Sequence, residues 1–297
     1  AEAPPAPAPA AAAPAAPAPA PASGERLRAS PRARRRAREL GVELSALGIT
    51  ERPISVEDVE AFATGAPGAG EGGSPDAMRA AIARAMARSK REIPHYYLHE
   101  RIDLEPALSW LEAQNESRPI QERILPAALL LLAVARATAK APSMNGFYEA
   151  GAFRPAEGVH LGVAISLPGG GLIAPAIRDA DQLALGELQA ALVGLVERAR
   201  SGGLRGAELS SASLTVTNLG DRGCERVFGV IQPPQVALVG LGRIHEAPCV
   251  HEGQVVARRV VDASLSADHR VSDGVDGAAF LRRIARLLAK PEQKLAR

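Results

Sequence analysis

A histidine and two aspartates lie close together near the carboxyl end of the chain, in the segment SLSADHRVSDG (264–274). His269 follows an apolar run that is typical of a strand, and Asp273 opens the last amphipathic helix. A histidine at such a junction has a fixed backbone and an open side, and its ordinary pKa of about 6.5 suits a general base at neutral pH. An aspartate at a helix start can cap backbone N–H groups. The alternative interpretation is a capping aspartate beside an incidental exposed histidine.

The composition of the 297-residue chain excludes several classes of protein. Its net charge of +2 argues against a general nucleic-acid binder. The longest apolar run, 124–135, is too short to span a bilayer, so no membrane segment is expected. Cys224 and Cys249 form no CxxC pair, which argues against a disulfide framework and a cysteine zinc site. A reducing compartment, the cytoplasm, is therefore the expected location.

The histidines give no pattern of metal ligands. His95 and His99 are four residues apart, but they lie on a predicted strand, where that spacing does not bring two side chains to one metal ion. No HExxH motif occurs in the sequence. We therefore predict no metal site.

Composition divides the chain into four parts. Residues 1–24 are mostly Ala and Pro; the prolines forbid a regular helix, and the segment is predicted to be a semi-extended linker. Residues 25–62 predict two short helices, of which the first is rich in arginine. Residues 63–75 predict a second, Gly-rich linker, and residues 76–297 a large domain.

The large domain is predicted to be an α/β sandwich, because long helices are interspersed with strands that read as hairpins. No GxGxxG or GxxxxGK[ST] motif supports a doubly wound nucleotide-binding sheet. The predicted helices are 76–91, 105–117, 122–140, 184–200 and 273–289. The predicted strands are 95–103, 159–167, 172–178, 213–218, 235–243 and 254–267.

The small helical part follows a known pattern. RASPRARRRARELGVEL (28–44) and ISVEDVEAF (54–62) resemble the peripheral-subunit-binding domain of 2-oxo acid dehydrogenase complexes. The glycine-rich loop usual in that family is replaced here by LGITERPIS (47–55). The resemblance implies that Arg34 and Arg38 dock a partner subunit, either a 2-oxo acid decarboxylase or dihydrolipoyl dehydrogenase.

Five blocks of the large domain resemble, in order, the catalytic domain of the dihydrolipoyl acyltransferases of the same complexes. They are MRAAIARAMARSKREIPHYYL (78–98), LPGGGLIAPAIRDAD (167–181), LTVTNLG (214–220), VIQPPQVALVGLGRI (230–244) and SLSADHRVSDG (264–274). The resemblance implies a mixed-sheet α/β fold like that of chloramphenicol acetyltransferase. It also implies transfer of an acyl group, with acetyl expected, from dihydrolipoamide to coenzyme A.

The family motifs imply roles for three residues. The thiol of coenzyme A is largely protonated at pH 7, and His269, at the position of the motif histidine, would remove that proton. Thr217, at the Ser/Thr of T-x-[ST]-N, would donate a hydrogen bond to the oxyanion of the tetrahedral intermediate. Ser213, Thr215 and Thr217 share one face of the strand, so the residues alone leave Thr215 as an alternative. Asp273 would order the histidine loop through hydrogen bonds or an arginine pair.

Coenzyme A carries a polyanionic ADP group, which calls for cations at the channel mouth. Arg84 and Lys90 of the first long helix are the assigned contacts, and Arg79 and Arg91 are further candidates. The family usually has an arginine where this chain has Ala85. The alternative interpretation is that these residues are solvated helix charges.

The resemblance also implies a homotrimer that assembles into a larger core, with each site built from the histidine of one copy and the Ser/Thr of its neighbour. None of the lysines lies in the D-K-A turn that carries the lipoyl group: Lys90, Lys140, Lys290 and Lys294. The lipoyl group is therefore expected from upstream of residue 1 or from another chain.

Two alternative functions are a small-molecule CoA-dependent acetyltransferase and a non-catalytic docking scaffold. The arginine-rich module argues against the first, and the intact HRVSDG motif against the second.

Overall fold

The computed structural model describes residues 28–42, 44–47, 53–64, 75–168 and 171–296. The predicted linker 1–24 and most of the linker 63–75 lie outside these residues. The division of the chain into four parts therefore stays a prediction. No helix within the described residues is both long enough and apolar enough to cross a bilayer.

The arginine-rich region contains two short helices, α1 (Pro31–Glu39) and α2 (Val56–Thr64). Ser30 caps α1, since its hydroxyl accepts from the backbone N–H of Ala33 at 3.1 Å. The two helices are joined by an ion pair of 2.7 Å between Arg36 and Glu60. Their common core consists of four buried residues: Ala33, Ala37, Ile54 and Val59.

The large region, from residue 75 onward, alternates helices and strands. Its helices are α3 (Pro75–Glu92), α4 (Glu105–Glu116), α5 (Pro126–Thr138), α6 (Leu185–Ser201), α7 (Gly206–Ser210), α8 (Gly274–Leu288) and α9 (Pro291–Lys294). Its strands are β1 (His95–Asp103), β2 (Gly146–Glu149), β3 (Ala152–Pro155), β4 (Leu161–Val163), β5 (Ile165–Ser166), β6 (Leu172–Ile173), β7 (Ala176–Ile177), β8 (Leu214–Asn218), β9 (Ala237–Leu241), β10 (His245–His251) and β11 (Gln254–Asp268).

Seven of these strands form one mixed sheet in the order β1-β11-β9-β8-β4-β7, and β10 pairs with the first half of β11. The pairs β4–β8 and β8–β9 are parallel and the other pairs are antiparallel. The predicted mixed-sheet α/β class is therefore confirmed. The predicted strand 159–167 was too long, because the chain breaks it into β4 and β5. The β2–β3 hairpin and β10 were not predicted.

The two faces of the sheet differ in chemistry. One face packs on α5, α6 and α8 through side chains such as Val216, Val239 and Leu265, which are completely buried. The register places Thr217, Gly240 and Ser264 side by side on the opposite face. We call this opposite face the polar face.

Ion pairs fasten the base of the β10–β11 hairpin to α4. The Arg259 guanidinium binds the Glu105 carboxylate at 2.6 Å and also contacts Glu112. Hydrogen bonds from Arg259 lower the pKa of Glu105 from 4.5 to about 2. Because the folded-state pKa lies below the ordinary value, this stabilisation is complete above pH 4.5 and is lost as the pH falls toward 2.

The Glu105→Gln variant is therefore expected to lower the free energy of unfolding by about 1 kcal/mol at pH 7, since solvent screens part of the pair. The deficit should shrink as the pH falls below 4.5. Urea denaturation at several pH values measures it. Glu112→Gln is the matched control, because it removes the more exposed partner of the same Arg259 and should cost less. A deficit that does not change with pH would contradict the assignment.

Candidate active site

His269 is the first residue after β11, where the chain leaves the sheet and turns into α8. Its backbone N–H donates to the Pro94 carbonyl at 3.0 Å. The Asp268 carbonyl accepts from the N–H groups of Val271 and Ser272, at 3.0 and 3.1 Å. These bonds fix the backbone on both sides of the histidine, and the residue itself is exposed.

The His269 ring lies against Tyr96 of β1. The two ring centroids are 5.2 Å apart and the planes meet at 65°, an edge-to-face contact. The Tyr96 hydroxyl lies 2.9 Å from the Ser272 hydroxyl, within hydrogen-bond distance. Burial raises the pKa of the Tyr96 phenol, which keeps it protonated. Tyr96 therefore limits the positions open to the imidazole, a contact that the sequence analysis did not predict.

A second anchor lies beside the histidine. The Asp268 carboxylate is completely buried and binds the Arg270 guanidinium at 2.6 Å. The same guanidinium lies 3.9 Å from the ring centroid of Tyr148 on β2, a cation–π contact. The loop that carries His269 is thus fastened to the β2–β3 hairpin as well as to β1.

Asp273 caps α8. Its carboxylate accepts from the backbone N–H groups of Val275 at 2.8 Å and Asp276 at 3.1 Å. The Asp276 carboxylate in turn accepts from the N–H of Asp273 at 3.3 Å, which completes a capping box. These hydrogen bonds join Asp273 to the first turn of α8, so its role in ordering the histidine loop stays a prediction.

Three hydroxyl-bearing side chains lie at alternate positions on the polar face: Ser213, just before β8, and Thr215 and Thr217 within it. The Ser213 hydroxyl donates to the Asn145 side chain at 2.6 Å, and the Thr215 hydroxyl donates to the Gln235 side chain at 2.7 Å. Thr217 is only partly buried, and within the described part of the chain its hydroxyl makes no hydrogen bond. Of these three residues, Thr217 is therefore the one whose hydroxyl can donate a hydrogen bond to a bound substrate.

Thr217 and His269 are far apart in a single copy. Thr217 pairs with Gly240 of β9, and Gly240 pairs with Ser264 of β11. His269 comes five residues after Ser264 and two strands away from Thr217. At about 3.3 Å per residue and 4.8 Å per strand, an ideal flat sheet would separate the two backbones by about 19 Å. One hydroxyl and one imidazole cannot act on the same atom at that distance.

The two cations assigned to coenzyme A lie on α3, and both are exposed. The Lys90 ammonium contacts the Tyr97 hydroxyl and lies 4.9 Å from the centre of its ring. Tyr97 follows Tyr96 on β1, so its side chain points to the other face of the sheet. The structure thus places Lys90 beside the polar face and does not bring it to the ring of His269.

The two arginines assigned to partner docking lie four residues apart on the exposed side of α1. The Arg34 guanidinium donates to the Ala29 carbonyl at 3.3 Å, and that of Arg38 donates to the Arg34 carbonyl at 3.5 Å. Residues at this spacing face the same side of a helix, so one partner surface can contact both.

A cavity of about 310 Å³ lies next to the histidine loop, between α3 and the β2–β3 hairpin. Its walls include Arg88, Glu92, Tyr148, Gln235 and Arg270. Neither His269 nor Thr217 lines it. The cavity is therefore adjacent to the candidate catalytic groups but does not connect them.

One set of side chains has the composition of a metal site. Ligand atoms of Glu225, His245 and Asp262 lie within 4.8 Å of one another. Two arginines bind the Asp262 carboxylate, and Arg243 binds that of Glu225 at 3.1 Å. Because guanidinium groups already bind both carboxylates, the set is organised as an ion-pair network.

Known proteins resemble this chain in both sequence and fold. A family model described as 2-oxoacid dehydrogenases acyltransferase (catalytic domain) matches residues 74–296. The dihydrolipoyllysine-residue acetyltransferase component of the pyruvate dehydrogenase complex from Rickettsia bellii is 32% identical over 216 residues, 72% of this chain and 51% of that protein. The lipoamide acyltransferase component of the branched-chain alpha-keto acid dehydrogenase complex from Pseudomonas aeruginosa is 35% identical over 291 residues, 90% of this chain and 67% of that protein. The chain thus spans between half and two thirds of these relatives.

A crystal structure of dihydrolipoamide acetyltransferase from Azotobacter vinelandii has a TM-score of 0.68 and 30% identity, covering 73% of this chain and 90% of that one. It comes from a crystallographic and enzymatic investigation of a serine, a histidine and an asparagine in the catalytic mechanism. Those three residues are spaced along their chain as Thr217, His269 and Asp273 are along this one. By the extent of the match to the family model and by these relatives, the chain belongs to the 2-oxoacid dehydrogenase acyltransferase family.

Proposed function

We propose that the chain transfers an acyl group, acetyl in the first instance, from S-acyl-dihydrolipoamide to coenzyme A within a 2-oxo acid dehydrogenase complex. The observation that carries the proposal is the spacing of Thr217, His269 and Asp273, which is that of the residues studied in the Azotobacter enzyme. The relatives are named as acyltransferase components of such complexes. The lipoyl group belongs to the substrate in this proposal, since none of the four lysines of the sequence lies in a D-K-A turn.

The reaction needs a base and a hydrogen-bond donor. His269 takes the proton from the thiol of coenzyme A, and the thiolate attacks the carbonyl carbon of the acyl thioester. The Thr217 hydroxyl donates to the oxyanion of the tetrahedral intermediate. The intermediate then collapses, the carbon–sulfur bond to dihydrolipoamide breaks, and the leaving thiolate takes the proton back from His269. Tyr96 holds the imidazole in place during both transfers.

The site is shared between copies. The backbone separation of about 19 Å along one sheet supports this, because it argues against joint action of Thr217 and His269 from one copy. A cyclic homotrimer solves this, since each histidine can then meet the threonine of the next copy. Larger cores are built from such trimers.

Charged side chains complete the proposal. Arg84 and Lys90 bind the phosphates of coenzyme A, and Arg34 and Arg38 dock a decarboxylase or dihydrolipoyl dehydrogenase subunit. Both assignments are supported by the exposure of these cations on α3 and α1.

A cytoplasmic location is part of the same proposal, in keeping with two cysteines that remain free thiols.

A branched-chain acyl group is the second candidate substrate, because the Pseudomonas relative is the component of a branched-chain complex. The two candidates differ in the size of the acyl group and not in the chemistry at His269. Comparing acetyl-, isobutyryl- and succinyl-CoA as substrates of the reverse reaction with dihydrolipoamide separates them. We expect acetyl-CoA to have the highest kcat/KM, and a preference for isobutyryl-CoA would move the assignment to the branched-chain class.

His269→Ala is expected to lower kcat for acetyl transfer to coenzyme A by about a thousandfold, because it removes the general base. Steady-state assays with acetyl-dihydrolipoamide measure the loss. The matched control is His251→Ala at the exposed end of β10, which should keep wild-type turnover. Near-wild-type turnover of His269→Ala would remove the histidine from the mechanism.

Mixed oligomers test whether the site is shared. His269→Ala and Thr217→Ala copies are each expected to be nearly inactive alone. When they are co-expressed in equal amounts, about a quarter of the sites should combine an intact histidine with an intact threonine. The specific activity of the mixture should therefore reach about a quarter of the wild-type value. Failure of the mixture to exceed its parents would contradict a site made by two copies.

A further inference from the structure

The segment Cys224–Ile231, which we call the strap, joins the Thr217 strand to β9 without forming a helix or a strand. It crosses the polar face of the sheet, where Thr217 also lies. Its first six residues, CERVFG, belong to none of the family motifs described above. The contacts of the strap nevertheless fasten it at several points.

The hydroxyls of β11 hold the backbone of the strap. Ser264 donates to the Val227 carbonyl, and Ser266 donates to the Gly229 carbonyl at 2.7 Å. These two serines alternate on the polar face of β11, the strand that ends immediately before His269. The strap and the histidine loop are therefore positioned by the same strand.

A buried carboxylate holds the strap by its side chain. Asp262 is completely buried, and Arg226 of the strap binds it at 2.9 Å. Arg101 of β1 binds the same carboxylate at 2.9 Å, and His99 lies 3.1 Å away. Burial alone would raise the pKa of Asp262, but the hydrogen bonds from Arg101 and Arg226 hold that pKa well below its usual range. Asp262 is therefore charged at all working pH values, and two cations from different elements share it.

The strap lies over β9, the strand that pairs with Thr217. Thr217 pairs with Gly240, and a Cβ at Gly240 would lie 2.2 Å from the Val227 carbonyl oxygen. A Cβ at Gly242 would lie 1.7 Å from the Glu225 carbonyl oxygen. Only glycine permits this approach at either position. The strap thus packs on glycine backbone in the strand that pairs with Thr217, whose hydroxyl is proposed to bind the oxyanion.

We propose that the strap sets the position of Thr217 and that Arg226, through Asp262, is a positioning residue for the acyl transfer. The inference rests on the proposed function. A donor aimed at an oxyanion must be held to a fraction of an ångström, because its contribution depends on being in place before charge develops. Arg226 contacts no reacting atom and acts by holding the strap in place over the strand that pairs with Thr217.

Two matched variants separate this role from stability. Arg226→Gln and Arg101→Gln each remove one guanidinium from Asp262 and leave the other in place. Arg226→Gln should lower kcat about tenfold with KM for coenzyme A changed less than about twofold, whereas Arg101→Gln should keep kcat within about twofold. Arg226→Lys, which keeps the charge, should recover part of the loss. Equal losses in Arg226→Gln and Arg101→Gln would overturn the inference.

A double-mutant cycle tests whether Arg226 acts through Thr217. In a Thr217→Ala background, Arg226→Gln should cause no further loss of kcat, because the hydroxyl to be positioned is gone. The same tenfold loss in both backgrounds would overturn the inference. If the wild-type protein transfers no acyl group, or Thr217→Ala retains full activity, the proposed function fails instead. Near-UV circular dichroism and the oligomer mass of each variant show that fold and assembly are kept.

Discussion

The alternation of β11 is the constraint on which the rest of the site depends. Leu265 and its alternate neighbours face the core, while Asp262, Ser264 and Ser266 face the opposite side. A shift of one residue would place a carboxylate and two hydroxyls in the hydrophobic core, so the register has a single solution. That register determines where the strand ends, and so where His269 enters the loop. It also sets which groups hold the strap over β9.

Elements with a strong hydrophobic period could be predicted from the sequence. The bounds of β1 agree with the prediction, and α8 begins and ends within one residue of it. The β2–β3 hairpin was missed because its turn uses Ala150 in a left-handed conformation, without the Asn-Gly signal of tight hairpins. β10 contains Pro248, which argues against a strand, and it forms because β11 is long enough to pair with it.

The candidate site was predictable only where a motif marks a residue. His269, Asp273 and Thr217 lie in such motifs. The choice between Thr215 and Thr217 depends on Gln235, which approaches Thr215 only in the folded chain. The contact of Tyr96 with the imidazole and the stacking of Arg270 on Tyr148 join segments far apart in sequence. Local patterns contain no information about such pairs.

The strap is held mostly through its carbonyl groups, which every amino acid possesses. These backbone anchors do not involve the side chains of Val227 and Phe228, although the half-exposed Phe228 ring also contacts the Tyr97 ring edge-to-face at 6.0 Å. Evolution or a protein engineer can exchange those two side chains while the anchor points stay unchanged. Such an arrangement lets the surface over β9 diversify at little cost to folding. It gives a physical route by which one scaffold could come to accept acyl groups of different sizes.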